Sequence, residues 1–307
     1  MKRLQNRIAY ADMTLPVVAA FTIVVWLFSG LATRHLWPQL ACFAASVYLL
    51  IELSNQNALL RVRSRMVSCT FMSLSCTASF LFPSISGNTF LLCMVAALLL
   101  LLSTYQDSQA VGRTFYAFVF VSLASVAFVQ VLLFVPVLWI LMATYLQSLG
   151  FRSWMASVLG LLTPYWFAML WLIYLHDFTP LADHFALLAS GLQPQSVALT
   201  LPQITSYVFT LVLTVAGLVH VWHRSYEDKI RTRQLYGFFS LMSVLSLLLV
   251  ALLPHLFDPL MRLALVCVSP LIAHFLTLTS TRWTNMAFIA AVVATVALTY
   301  LSVTQAS

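Results

Sequence analysis

The sequence predicts an all-α fold: a polytopic helical membrane protein of about eleven transmembrane helices, in one domain that spans residues 1–307. Three observations predict it. Of the 307 residues, 62% are hydrophobic and only 7% are charged, whereas a soluble domain carries roughly 25% charged residues. The apolar residues form segments of the length that a hydrocarbon core demands, about 20 residues per helix. The connectors between these segments are short and polar, so they leave no room for a soluble domain.

The apolar segments follow one another along the whole chain. They lie at about residues 14–32, 36–53, 66–83, 88–105, 114–129, 131–148, 154–175, 204–222, 235–253, 259–279 and 284–303. The first segment follows basic residues, as the core of a signal peptide would. Its apolar run from Leu15 to Leu31 is longer than a usual signal core. We therefore expect a first transmembrane helix.

Residues 114–148 form one nearly unbroken apolar stretch, interrupted only by Gln130 and Pro136. A single helix of that length would extend about 52 Å at about 1.5 Å per residue, far beyond a hydrocarbon core of about 30 Å. Length therefore favours two crossings over one. A tight hairpin near Gln130, or two helices that cross only partly, would satisfy the same count.

The distribution of basic residues also favours two crossings. With two, thirteen of the fifteen Lys and Arg residues fall on one side, and only Arg34 and Arg262 fall on the other. With one, the basic loop at 224–233 would lie outside, against the positive-inside bias. We predict a cytoplasmic N-terminus, an extracytoplasmic C-terminus and a location in the bacterial inner (cytoplasmic) membrane. The net charge of +7 then reflects orientation, so the expected partner is the lipid bilayer and not nucleic acid.

The longest connector, residues 176–203, is extracytoplasmic in this topology. Leu181, Phe185, Leu188 and Leu192 recur in it at helical spacing, which predicts an interfacial helix. Its ionisable residues either are solvated or act as an acid and a base at the membrane surface. The catalytic candidates of this connector are Asp177, Asp183 and His184.

Ionisable groups inside membrane segments are costly, so they are candidates for function. His274 is predicted near the centre of the tenth segment, one turn after Pro270, whose missing N–H leaves the carbonyl of Val266 without its helical partner. Such a kink can form an ion, proton or headgroup site; alternatively, the imidazole bonds the backbone or a neighbouring helix. Asp258 and Arg262 are spaced as an i,i+4 pair near the start of this segment.

The seventh segment has a proline of its own at mid-depth. Pro164 and the adjacent Tyr165 are candidates for a ligand or transport site, and Ala156 with Gly160 has the small-xxx-small spacing of closely packed membrane helices. The simpler interpretation of the motif is a bend and a tight helix contact.

Polar and basic residues cluster in two loops that the topology places in the cytoplasm. We call them the cytoplasmic face, a candidate surface for lipid phosphates or a partner protein. Its members are Glu52, Arg61, Arg63, Arg65, Lys229, Arg231 and Arg233. The five cysteines lie inside apolar segments without a CxxC pair or metal-ligand spacing, so we expect neither a metal nor another cofactor.

Four short segments carry a resemblance to a known family. They are residues 52–65 (ELSNQNALLRVRSR), 159–165 (LGLLTPY), 229–233 (KIRTR) and 270–275 (PLIAHF). On these segments the chain resembles a family of uncharacterised polytopic inner-membrane proteins of Bacteroidota. The likeness spans nearly the whole chain, and it implies a location and not a mechanism.

A fainter likeness is to membrane glycosyltransferases that use polyprenyl-linked sugars. Arg113 opens an apolar pair, Arg152 follows it, and Gly160 and Pro164 lie in the next helix. That family places an acidic catalytic residue in a large first extracytoplasmic loop. Here the loop is only residues 33–37, without a carboxylate. The likeness therefore implies a degenerate relative rather than an active enzyme.

Three hypotheses for function follow. The first is a non-catalytic component of a cell-envelope or lipid-linked glycan assembly, with a membrane-protein partner. The second is a transporter or lipid translocase that uses the proline-bent helices and His274. The third is an integral-membrane enzyme that acts at the extracytoplasmic face through Asp177, Asp183 or His184. A degenerate glycosyltransferase-like membrane enzyme is a further alternative.

Overall fold

The computed structural model describes residues 8, 11, 13–61, 64–190, 197–279 and 281–306. Within these residues the chain is helical and contains no β-strand. This confirms the predicted all-α class. The helix bounds are α1 Thr14–Phe28, α2 Trp37–Asn57, α3 Met66–Thr77, α4 Ile85–Leu102, α5 Val111–Ala127, α6 Val135–Leu141, α7 Phe151–Leu175, α8 Thr179–Ser190, α9 Leu201–Arg224, α10 Ile230–Leu252, α11 Phe257–Leu278 and α12 Arg282–Ala306.

The helices coincide with the apolar segments of the sequence. Eight helical runs in the described part of the chain are long and apolar enough to cross a membrane, and α1, α3 and α5 are shorter apolar helices. Together they match the eleven predicted segments one for one. The additional helix, α8, lies in the long connector, where Leu181, Phe185 and Leu188 predicted a helix. Leu192, the fourth residue of that pattern, lies outside the described residues.

The ambiguous stretch at 114–148 is two segments in the structure. Helix α5 ends at Ala127, Phe128 is extended, and a 3₁₀ turn at Val129–Phe134 leads into α6. Pro136 lies in the first turn of α6, where its missing N–H costs no helical hydrogen bond. After a π-helical turn, the carbonyl of Leu146 accepts a hydrogen bond of 2.8 Å from the N–H of Gln106. The chain therefore runs out and returns to the level at which it started.

Helix α11 is the central element. In its most apolar stretch of 18 residues, 94% of the residues are buried inside the protein. The helix packs against α3, α4, α9 and α10. Pro270 lies within it. Helices α7 and α12, by contrast, expose most of their apolar surface, which in a membrane contacts lipid without cost. The core is thus organised around α11, and the outer helices are its boundary with the bilayer.

Helices α5 and α7 pack closely against each other. A Cβ added at Gly160 would lie 2.5 Å from the carbonyl oxygen of Phe115, so only glycine permits this approach. The Ser122 hydroxyl donates to the carbonyl of Leu161 at 2.7 Å across the same interface. The close contact predicted from Ala156 and Gly160 is therefore present.

Candidate functional site

The extracytoplasmic catalytic candidates do not form one site. Asp177 caps the first turn of α8, accepting a hydrogen bond of 2.9 Å from the N–H of Thr179. Bonds from Thr179 lower the pKa of this carboxyl below its ordinary value. Asp183 is exposed, and in the described structure neither carboxylate makes a hydrogen bond or ion pair with His184. No group of three metal-ligating side chains occurs among the described residues.

Tyr165 is where α5, α7 and α8 meet. Its hydroxyl lies 2.7 Å from Oγ of Ser125 and 3.3 Å from Nε2 of His184. The Tyr165 and His184 rings are 6.0 Å apart. These contacts anchor the amphipathic α8 to the helix pair, next to Pro164, which lies within α7. The geometry gives Tyr165 a packing role.

The two halves of the cytoplasmic face are joined by ion pairs. Nε of Arg61 lies 2.7 Å from Oδ1 of Asp228, and its Nη1 lies 2.9 Å from Oε2 of Glu227. Arg224 pairs with the same Glu227. Much of the basic charge of Arg61 is thus neutralised within the protein, which weakens the interpretation of this residue as a phosphate ligand.

The other members of the cytoplasmic face lie apart from this ion pair. Arg231 donates to Oδ1 of Asn57 at 2.9 Å and covers the Tyr105 ring at 5.7 Å. Glu52 accepts a 2.8 Å hydrogen bond from Gln56 one turn further along α2. Arg65, Lys229 and Arg233 are exposed. Arg63 lies outside the described residues.

His274 occupies a different depth from the one predicted. The sequence predicts a position near the centre of its segment, but His274 lies only four residues before the end of α11, beside the loop that follows α9. Its Nε2 is 3.1 Å from Oδ2 of Asp228, and the two side chains are 0% and 1% exposed. The partner of His274 is therefore a loop carboxylate and not the backbone freed by Pro270.

Aromatic side chains enclose this buried pair. The Tyr236 ring on α10 lies edge-on to His274 at 4.6 Å, and the His220 ring on α9 lies 5.2 Å away. The Tyr236 hydroxyl donates to the carbonyl of Leu59 at 3.1 Å. We call Arg61, Asp228, His274, His220 and Tyr236 the polar cluster. Its members lie in the loop after α2, in the loop after α9, and on the three helices α9, α10 and α11.

The carboxylates of the loop after α9 are held in their ionised form. Burial would raise the pKa of Asp228, but hydrogen bonds and charges from His274 and Arg61 outweigh burial and lower it. Bonds from Arg224 and Arg61 lower the pKa of Glu227 to about 2. The same contacts raise the pKa of Arg61, against the effect of its partial burial. The loop is thus fixed to α2 and α11 by charge.

A second charged group is buried at the opposite end of α11. Arg262 is 3% exposed, 3.7 Å from Asp258, and it donates to Oδ1 of Asn88 at 3.2 Å and to the carbonyl of Leu81. A Cβ at Gly87 would lie 2.5 Å from its guanidinium. The i,i+4 pair expected from the sequence is present; its arginine is buried in the core, whereas the Asp258 side chain is 39% exposed.

A large cavity lies beside α11. Its volume is about 680 Å³, and α1, α3, α9, α11 and α12 line it almost wholly with apolar side chains. Ile272 and Leu276 supply the α11 wall, whereas His274 between them is not part of the lining. Val17 and Val296 line the cavity and are 65% and 52% exposed. The cavity therefore opens sideways between α1 and α12.

Sequence reasoning missed the assembly of both features. Asp228 is one of several charged residues in its loop, and nothing local marks it as the one that becomes buried. His220 could be noted only for its spacing from His223 on α9. The cavity is a gap between packed helices, and the hydropathy of the segments does not show where such a gap forms.

The fold and these features define a helical membrane protein with a lateral apolar cavity and a buried polar cluster at one end of its central helix. No protein-family model, curated protein or solved structure matches the chain.

Proposed function

We propose that the protein spans the bacterial inner membrane eleven times, with its N-terminus in the cytoplasm and its C-terminus outside. The contact between Arg61 and Asp228 supports this topology. These residues share one side only if an even number of crossings separates them, and the two-crossing interpretation of 114–148 places six between them. The hydroxyls of Ser79 and Ser302, 2.8 Å apart, are both extracytoplasmic in the same arrangement.

Within that topology, we infer that the protein binds the apolar chain of a membrane lipid. One observation carries the inference: the lateral cavity of about 680 Å³. This volume is in the range of about 300–1,000 Å³ that is common for ligand sites. Apolar walls left without contacts forfeit their dispersion energy, and a lipid chain is the solvent available at this depth. The cavity is therefore filled from the side by a chain.

The charge at the cytoplasmic end of the cavity favours an anionic lipid. Arg65 is exposed directly before Met66, a lining residue, and Arg282 is exposed at the start of α12. A basic residue near the membrane surface attracts an anionic headgroup by about 1 kcal/mol. A lipid with a phosphate headgroup thus fits with its chain in the cavity and its phosphate towards these arginines.

A pair of neighbouring alanines on α12 tests lipid binding. Ala291 lines the cavity, whereas the exposed Ala290 does not. The full chain in nanodiscs would be irradiated with phosphatidylglycerol that carries a photoreactive diazirine on one acyl chain. We expect mass spectrometry to locate the label on α1, α3 and α12 lining residues. Ala291→Trp should reduce this labelling several-fold, and Ala290→Trp should leave it unchanged.

Uniform labelling of all exposed helices, or equal labelling of the two variants, would contradict a lipid site in the cavity.

We propose that the lipid-binding protein is a non-catalytic component of cell-envelope or lipid-linked glycan assembly. Purification in mild detergent should then recover a stoichiometric membrane-protein partner. A strictly solitary protein would contradict this role while leaving lipid binding intact.

A second candidate function, lipid translocation, is favoured by the buried ionisable groups at both ends of the proline-containing α11. Arg262 and His274 flank Pro270, so a change in bend would alter contacts at both membrane surfaces. Purified protein in liposomes should then accelerate the movement of a labelled lipid between leaflets, and His274→Gln should abolish it. A glycosyltransferase-like activity has less support, because neither Asp177 nor Asp183 joins His184.

A further inference from the structure

The polar cluster contains two histidines, each of which has a buried ring nitrogen without a hydrogen-bond partner in the described structure. His274 is 0% exposed, and only its Nε2 is bonded, to Asp228. Its Nδ1 and the Nε2 of His220 are both buried and have no hydrogen-bond partner among the described residues. The two rings lie 5.2 Å apart. Unpartnered imidazole nitrogens are rare in a buried position because each forfeits a hydrogen bond.

The charged groups around these rings come from several elements. Helix α9 supplies His220 and Arg224, and the loop after it supplies Glu227 and Asp228. The loop after α2 supplies Arg61, and α10 supplies Tyr236. From α3 and α4, no ionisable side chain in the described structure makes a hydrogen bond, ion pair or ring contact with either imidazole.

The buried part of the cluster has an anion next to a group that can accept a proton. The Asp228 side chain is 1% exposed, whereas Arg61, its cationic partner, is 34% exposed and faces the surface. With both histidines neutral, Asp228 has a cation on its outer side only. A proton on His274 would supply a cation on the inner side, where the low dielectric makes the attraction strong.

We propose that His220 and His274 form one proton-binding site, in which the pair takes up a single proton from the side of the molecule on which Arg61 lies, next to the carboxylate of Asp228. One N–H bond forms on an imidazole as one O–H bond of a hydronium ion breaks and leaves water. The proton comes from solvent at the surface near Arg61, and the positive charge is balanced by Asp228. The site is independent of lipid binding, because neither histidine lines the cavity.

Two interacting imidazoles titrate as a pair. The first proton is stabilised by Asp228, and it repels a second proton on the neighbouring ring. Removal of one histidine should therefore change how the other titrates, which is not expected of two isolated side chains. The carboxylate should act in the opposite sense, because its removal takes away the charge that favours protonation.

Nuclear magnetic resonance of full-length protein with ¹⁵N-labelled histidines, in nanodiscs between about pH 4 and pH 9, tests the proposal. His220→Gln and His274→Gln assign the two resonances. In the native chain we expect both rings to respond to the first proton, and the second proton to bind at least tenfold more weakly. In His220→Gln, we expect a single one-proton transition at His274. Asp228→Asn should shift the first transition of the native pair to lower pH.

His223 provides the control, since it lies on α9 three residues after His220 but is exposed. His223→Gln should leave the transitions of the pair unchanged. The proposal is overturned if His220 and His274 titrate independently of each other, or if both stay neutral to the lowest pH at which the protein remains folded. The photolabelling result does not bear on this outcome, so the two proposals can fail separately.

Discussion

At the scale of single residues, Arg262 shows how tightly the surroundings of a buried charge are constrained. Its guanidinium is held by Asn88, Asp258 and the carbonyl of Leu81, directly against Gly87. A buried charge is tolerated only while such partners remain. Glycine at 87 is therefore a requirement of the arginine and not of the local backbone, which is helical there.

Gly87→Ala should destabilise the protein through Arg262. The new methyl group would lie 2.5 Å from the guanidinium carbon, so the side chain must shift and lose hydrogen bonds to buried partners. We expect a cost of about 2 kcal/mol and a lower midpoint of thermal unfolding in detergent. Gly112→Ala is the matched control, because a Cβ there meets nothing within 4 Å. Equal midpoints for the two variants would contradict this packing.

The lowered pKa values of Asp228 and Glu227 predict a dependence of stability on pH. A carboxylate whose pKa falls on folding stabilises the native state above its ordinary value of about 4, and this contribution is lost as the pH falls through the folded value. For Glu227 the folded value is about 2. We expect the thermal midpoint to fall between about pH 5 and pH 2, measured by intrinsic fluorescence. The double variant Glu227→Gln, Asp228→Asn should show a smaller fall.

At the scale of elements, the contact between α5 and α7 depends on one glycine. Gly160→Ala would place a Cβ 2.5 Å from the backbone oxygen of Phe115, and a backbone atom within a helix can move only with the helix. The helices should separate and lose the hydrogen bond from Ser122 to Leu161. We expect faster proteolysis of the loop between α6 and α7 in detergent, compared with Gly112→Ala. An unchanged rate would show that α7 can shift without cost.

The elements themselves were largely predictable, because each apolar segment must bury its backbone polar groups in a helix. The break between α5 and α6 was also foreseen, from length and from the loop charges. No local sequence pattern shows which side of α11 faces the cavity and which side faces the loop after α9. Hydropathy does not show that Ile272 and Leu276 face the cavity while His274 faces Asp228.

At the scale of the whole molecule, contacts between distant parts of the chain determine the candidate site. Arg61 and Asp228 are 167 positions apart, and their pairing requires six intervening segments to pack correctly. The sequence indicated that the two basic loops share a side of the membrane, since the positive-inside bias acts on each loop separately. It could not indicate that they touch.

The sidedness of these loops can be measured by cysteine accessibility in intact cells. Asp183→Cys, in the exposed part of α8, should react with a membrane-impermeant maleimide from outside. Lys229→Cys should react only after permeabilisation, because the proposed topology has six crossings between its loop and that of Arg61, with both loops in the cytoplasm. Gln109→Cys is the control, since it precedes residues 114–148 and is cytoplasmic with one or two crossings there. The unsubstituted chain gives the background from its native cysteines, of which four are buried.

Labelling of Lys229→Cys from outside, with Asp183→Cys protected, would mean that residues 114–148 cross once. That result would be incompatible with the ion pair between Arg61 and Asp228, because the two residues would then lie on opposite sides of the membrane.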